Sequence, residues 1–333
     1  MNKIILKIKA GSYLYGTNTP SSDRDYLGVY LNTKEELLGL QTSEELTQNI
    51  ESKADNGRNT KDAVDCKFYE LRKFCSLALK CNPTILEILF VNRENILEIT
   101  PEGEELLKLK KEFLSRHLCN SFMGYAIAQE KKAFIKSENI KQIEGLYNYL
   151  KQYITTINQY FSLSQYLAMS FDVFYQRHDF VESKQLDSFV NFFQNTANDN
   201  MFQCGDLVFP ESILIKKLMD SLKLRLDKAS WRKDGMLQYG LDYKFLSHNV
   251  RLMMEGIEIL KTKDLILPLQ YRELIKYIKE GKMENNEIIR YMQSLKENFR
   301  ELEKNNDLPD KGNFKKINQF VVDTYYNYLM SLK

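Results

Sequence analysis

Two aspartates, Asp23 and Asp25, stand in the stretch GSYLYGTNTPSSDRDYLGVYL, which runs from Gly11 to Leu31. From Asp23 to Leu31 the stretch reads as a strand, and residues two apart in a strand project from the same face. Side-by-side carboxylates repel one another and cost stability unless a cation or a proton joins them. A divalent metal is the simplest resolution, because Mg²⁺ is typically held by one or two carboxylates together with the phosphate oxygens of a substrate.

A third carboxylate lies in a separate segment. Asp65 sits between Val64 and Cys66, where a short strand over Ala63 to Cys66 meets a helical pattern. Alone it fits a helix N-cap, a position Asp often fills. Beside the aspartate pair it is preferred as a third metal-facing carboxylate, over Asp62, whose neighbour Lys61 makes a less buried setting. Far downstream, Lys244, His248 and Arg251 follow an i, i+4, i+7 spacing that a helix gathers on one face, apart from the apolar stripe Phe245, Leu252 and Ile259. Two certain cations and a histidine suit a triphosphate or an RNA backbone. The residues alone favour the plainer reading, a solvated helix face. His117 and His178 have no comparable neighbours and read as structural or surface residues.

The elements that must hold these groups follow from the periodicity. Lys3 to Ala10 reads as a first strand, closed by Gly11-Ser12, and Tyr13 to Ser22 carries turn chemistry in Gly16, Asn18 and Pro20. Residues 42 to 61 are polar and turn-rich, a surface loop or weak hairpin. Phe68, Leu71, Phe74, Cys75 and Ala78 recur at helical spacing, Asn82-Pro83 breaks that helix, and another begins at Thr84. From about Pro101 onward amphipathic stretches recur without a convincing strand and without a fixed-period repeat. The pattern predicts an α+β chain: a small mixed sheet with helices over residues 1–100, then an all-helical domain over 101–333, with the site in the cleft between them.

Composition narrows the setting. The 333 residues are 43% hydrophobic and 28% charged, enough apolar material for buried cores and too interrupted for the roughly 18 to 20 apolar residues of a membrane helix. The N-terminus lacks signal-peptide character, which predicts a cytosolic protein with no membrane partner. Cys66, Cys75, Cys81, Cys119 and Cys204 are odd in number and never spaced as CxxC, so reduced, buried thiols are expected rather than disulfides or a zinc site. The net charge of +2 implies no nucleic-acid partner by itself. Between Lys216 and Lys233, however, seven bases face only Asp220 and Asp227, with Trp231 among them. That stripe is compatible with phosphate-backbone contact or with a solvated helix face.

Taken in order, a GS pair after a strand, a short loop, DxD at the next strand's entry and a third Asp between apolar neighbours resemble the nucleotidyltransferase core of the DNA polymerase beta superfamily. The fuller series of GSYLYGTNTPSSDRDYLGVYL, DCKFYELRKF, CNPTILEILF, GLDYKFLSHNVRL, GIEIL and a late LPD resembles the polymerase-beta-like family associated with RNA ligases and RNA repair. It spans the chain from Gly11 to Pro309. The resemblance implies transfer of a nucleoside monophosphate from an NTP to an acceptor hydroxyl, with Mg²⁺ or Mn²⁺ as cofactor and RNA as the favoured acceptor. It implies that Asp23, Asp25 and Asp65 are catalytic metal ligands, that Gly11 and Ser12 contact the triphosphate, and that Lys244, His248 and Arg251 contact triphosphate or substrate. Tyr13 departs from the arginine expected after GS. A protein or small-molecule acceptor, and a nucleotide-binding protein without turnover, are the alternative readings.

Overall fold

The computed structural model describes residues 2–20, 22–40, 42–52, 62–157, 163–177, 180–239 and 241–332. In chain order the elements begin with β1 (Lys3–Lys9), α1 (Gly11–Tyr15), β2 (Arg24–Leu31), α2 (Lys34–Leu38), β3 (Glu45–Ile50), β4 (Val64–Glu70), α3 (Leu71–Leu79), α4 (Pro83–Leu89), β5 (Ile96–Ile99), α5 (Pro101–Lys108) and the long α6 (His117–Ile157). They continue with α7 (Leu163–Leu167), α8 (Phe171–Gln176), α9 (Phe180–Asp187), β6 (Asn191–Gln194), β7 (Asn200–Cys204), β8 (Leu207–Pro210) and α10 (Ile215–Tyr239). The chain then runs through α11 (Tyr243–Thr262), α12 (Arg272–Lys279), α13 (Asn285–Asn305) and α14 (Phe314–Ser331).

The first compact unit comprises Met1–Ala54, Arg58–Glu130 and Tyr243–Lys333. Its five-stranded sheet has the order β3-β4-β2-β1-β5, with β2 and β4 parallel and the remaining pairs antiparallel, so the expected mixed sheet is present. Ile5, Leu6 and Ile8 of β1 and Val29 and Leu31 of β2 are buried, and so are Leu71, Phe74 and Ala78 along one side of α3. Local chemistry starts the helices where the sequence places them. The Glu70 carboxylate accepts from the Lys73 amide to cap α3, and Asn82 accepts from the Ile85 amide with Pro83 in the first turn of α4. All five cysteines are free and buried.

The second unit is Lys131–Asp242 with Asp55–Gly57. Its core is aromatic: Phe171 stacks on Phe202 with centroids 4.2 Å apart, and Phe174 meets Tyr153 and Tyr166 edge-on. It contains a three-stranded antiparallel meander in the order β6-β7-β8, so the all-helical expectation for 101–333 needs correction here. Strands of four or five residues joined by Asn- and Gly-containing turns carry too few alternations to show a period of two.

The division at residue 100 also differs from the structure. α5, the start of α6 and α11 to α14 group with the sheet, and the unit boundary at Glu130 falls inside α6, where an unbroken helical pattern gives no punctuation. Three smaller corrections concern the first unit. Part of the expected loop after Gly11 is helical, Phe68 belongs to β4 rather than to the following helix, and β3 is a strand. Residues 53–61 of the expected 42–61 loop lie outside the described residues, as does His178. Among the described residues no helix is long and apolar enough to cross a membrane.

Candidate active site

The residues expected to form the transfer site fall within the first unit: Gly11 and Ser12 on α1, Asp23 and Asp25 at the entry of β2, Asp65 on β4, and Lys244, His248 and Arg251 on α11. Backbone pairing sets their neighbourhood. β2 and β4 run parallel with Asp25 opposite Asp65, which places the two α-carbons on neighbouring strands about 4.8 Å apart. Asp23, two residues before Asp25, acts on the same carboxyl. Burial first, and then the charges of Asp23 and Asp65, push Asp25 up from 3.8 to about 6, against the opposing charge of Lys244. The structure therefore brings three carboxylates and one ammonium into a single electrostatic neighbourhood.

Gly11 explains how α1 reaches this cluster. The Ala10 amide donates to the Asp25 carbonyl at 2.8 Å, tying the start of α1 to β2. Gly11 has φ +57°, and a β-carbon there would lie 2.0 Å from Asp25 Oδ2. Only glycine satisfies both the backbone conformation and the contact. Ala10 supplies no side-chain cap to the first turn of α1, and the buried Ser12 hydroxyl has no hydrogen-bond partner. An orphaned hydroxyl beside an uncapped helical turn is a donor set for phosphate oxygens.

The three carboxylates are hard oxygen donors that suit Mg²⁺ or Mn²⁺. Among the described residues no three Asp, Glu, His or Cys side chains form a metal-holding group by themselves. A cation held by these carboxylates would take part of its coordination from a phosphorylated substrate.

Asn49 is a residue the sequence reading missed. It pairs with Asp65 in the antiparallel β3–β4 register. With its amide nitrogen turned to the carboxylate, Asn49 donates to Asp65 Oδ1 at 2.7 Å and to the Gln48 carbonyl at 3.0 Å. The polar NxE segment around it gave no signal, because strand register is not readable from one side.

The expected α11 face divides along its length. Lys244 acts electrostatically on Asp25, and His248 is half-buried one turn further on. Arg251 departs from the expected triphosphate contact. It is 8% exposed, donates to Glu87 Oε1 at 2.5 Å and Glu255 Oε1 at 2.8 Å, and lies 4.1 Å over the ring of Tyr15. Tyr15 in turn donates to Glu87 Oε2 at 2.6 Å. Arg251 thus locks the end of α1 to α4 and α11, and bears on Gly11 and Ser12 by positioning their helix. Two carboxylates share one guanidinium here, and burial pushes Glu255 up.

In the second unit, the basic stripe lies along α10. Lys216, Lys217 and Lys223 are exposed, whereas Arg225 is committed to Asp206 through Nε and Nη2. The side chains of Lys228 and of Trp231, Arg232 and Lys233 lie outside the described residues.

A strand, a Gly-Ser turn into a short helix, and acidic residues at the entries of two parallel strands belong to a mixed α+β core, followed by a mainly helical remainder. Residues 1–163 match the family described as the RNA repair pathway DNA polymerase beta family, in agreement with the resemblance carried by the motifs. An Enterobacteria phage T4 protein, described as an uncharacterized 38.9 kDa protein in the nrdC-mobD intergenic region, is 25% identical over 287 residues, covering 84% of this chain and 83% of its own. No solved structure matches the chain.

Proposed function

We propose that the chain is a metal-dependent nucleotidyltransferase that transfers a nucleoside monophosphate from an NTP to an acceptor hydroxyl, with RNA as the acceptor. The observation that carries this reading is the placement of Asp25 beside Asp65, under the charge of Asp23 and against the Gly11 turn. A pure nucleotide-binding protein gains little from three clustered carboxylates facing a polyanion. The matched family's description supports RNA as the acceptor, as do the exposed lysines of α10.

In this reading Asp23, Asp25 and Asp65 would hold Mg²⁺ or Mn²⁺, which neutralises the triphosphate and lowers the pKa of the attacking hydroxyl. The hydroxyl oxygen forms a bond to the α-phosphorus, the bond from that phosphorus to the bridging oxygen breaks, and pyrophosphate leaves. Asp65, the most exposed of the three carboxylates, faces the acceptor and accepts its proton. Ser12 donates to a phosphate oxygen over the Gly11 turn, and Lys244 offsets charge at Asp25. Tyr13 supplies no cation where relatives of this type carry arginine.

Incubation with α-labelled NTPs, Mg²⁺ and total RNA tests the proposal. Label should appear on RNA with release of pyrophosphate. Label resistant to RNase and retained on protein would move the acceptor to a side chain. Activity surviving in the Asp23→Ala/Asp25→Ala double variant would refute the site.

A further inference from the structure

A cavity lies at the other end of β4 from the carboxylates. Asp65 is near the start of that strand, and the α3 residues that line the cavity follow its end, roughly 15–20 Å of extended chain away. The cavity has a volume of about 370 Å³ and runs between α3 and α14, with the start of α6 at one side. Cys75, Leu79, Ile317 and Val321 give it an apolar floor. Phe314, 65% exposed, stands at its mouth.

Among the described residues, the charged side chains that line it are the cations Arg72, Lys80 and Lys311, with His117 beside them. Arg72 is held in place from behind: its Nε donates to the buried Glu70 carboxylate at 2.9 Å, and its guanidinium lies 5.4 Å from the Tyr325 ring. Glu70 also accepts from the Lys73 amide and from the Tyr325 hydroxyl. Two acidic residues beside the lining segments are engaged elsewhere, Glu112 by Lys316 and Asn313 and Asp310 by Arg116. Arg72 and Lys80 are about 12 Å apart along the helix axis, so the cations stand at both ends of an apolar slot.

A slot with an apolar floor, an exposed aromatic at the mouth and cations at its ends matches a ligand with a flat ring and a phosphate. Ring stacking on aromatic side chains and phosphate capture by Arg and Lys are the two devices by which proteins hold unpaired nucleotides. We propose that this cavity binds a nucleoside monophosphate unit, either as a free nucleotide or as part of a single RNA strand, at a site separate from the carboxylates. The ring lies against Phe314 and Leu79, and the phosphate is held by Lys80 and Lys311 with His117 beside them. This site does not depend on metal or on turnover, and it therefore stands or falls independently of the transfer reaction.

Calorimetric titration of the full chain in EDTA tests it, with AMP, adenosine and a 5′-phosphorylated oligoadenylate as probes. Wild type should bind at least one phosphorylated probe, with affinity falling as salt rises, and should bind adenosine at least 10-fold more weakly. Lys80→Glu/Lys311→Glu should weaken that binding at least 10-fold while melting at the wild-type temperature, both side chains being exposed, and Phe314→Ala should weaken it by a smaller factor. Asp23→Asn/Asp25→Asn should bind as wild type does, which separates this cavity from the transfer site. AMP binding identifies a free nucleotide as the ligand, and binding of the oligonucleotide alone identifies an RNA strand. A wild-type protein that binds neither phosphorylated probe, or charge-reversed protein that binds them unchanged, overturns the proposal.

Discussion

The first unit contains two acidic clusters that meet opposite fates. Glu87 and Glu255 are buried, and both accept from Arg251, whose guanidinium covers Tyr15. Asp23, Asp25 and Asp65 are more open and lie together, and among the described residues Lys244 is the cation acting on Asp25. The first cluster is partnered from within the protein: Arg251 serves both carboxylates, and burial pushes Glu255 up toward its neutral form. In the second, burial first and then the charges of Asp23 and Asp65 push Asp25 up, and such a cluster is tolerated where a ligand supplies a further cation. Under the proposed function, the contrast separates charge that holds the fold from charge that would meet a substrate.

Substitutions should break the comparison in opposite ways. The largest effect is expected for Asp23→Asn/Asp25→Asn: turnover of NTP should fall by about 10³-fold or more, since metal neutralisation is worth several kcal/mol in the transition state, while chemical denaturation shows no loss of stability. Arg251→Met should do the reverse. Leaving two buried carboxylates without their cation should cost about 3–5 kcal/mol in urea unfolding. Glu87→Gln/Glu255→Gln in the same chain should recover part of that loss, because it removes the orphaned charge.

Smaller effects sharpen the picture around Asp65. Asn49→Ala removes one oriented donor to the carboxylate and should lower kcat about 10-fold, with the NTP KM and the melting temperature nearly unchanged. A loss of stability in place of the kcat effect would make Asn49 merely an edge-strand residue. The least effect is expected at Arg225→Ala in the second unit, whose pair with the partly exposed Asp206 should be worth under about 1 kcal/mol.

The two clusters also differ in how far the sequence revealed them. Asp23 and Asp25 were legible because a period of two in a strand is a local rule, and Asp65 because apolar neighbours flank it. The partners of Arg251 were not: Glu87 is far away in sequence, and a helical i, i+4, i+7 face looks the same whether it meets solvent or a buried carboxylate. β3 was readable only as a surface loop or weak hairpin, because it is an exposed edge strand whose residues satisfy no apolar alternation, and Asn49 on it drew no attention. α1 is a five-residue helix starting at a glycine in the left-handed region, where propensity points to a turn. The mixed sheet itself was readable from strand patterns, whereas the unit boundary inside α6 has no local mark.

Thermal melting of wild type and Asp25→Asn in EDTA and in Mg²⁺ with an NTP analogue non-hydrolysable at the α,β bond tests the central claim most directly. Asp25 is raised to about 6 in the folded chain, so in EDTA its contribution destabilises the fold above pH 6 and is relieved as pH falls toward 4. Removing that charge at pH 8 should stabilise the metal-free protein by on the order of 1 kcal/mol, a figure kept small by the group's partial exposure to solvent. Wild type should gain stability from Mg²⁺ with the analogue, and Asp25→Asn should gain little. A variant that melts lower in EDTA and still responds fully to the ligand would show that the carboxylates serve the fold and not the nucleotide.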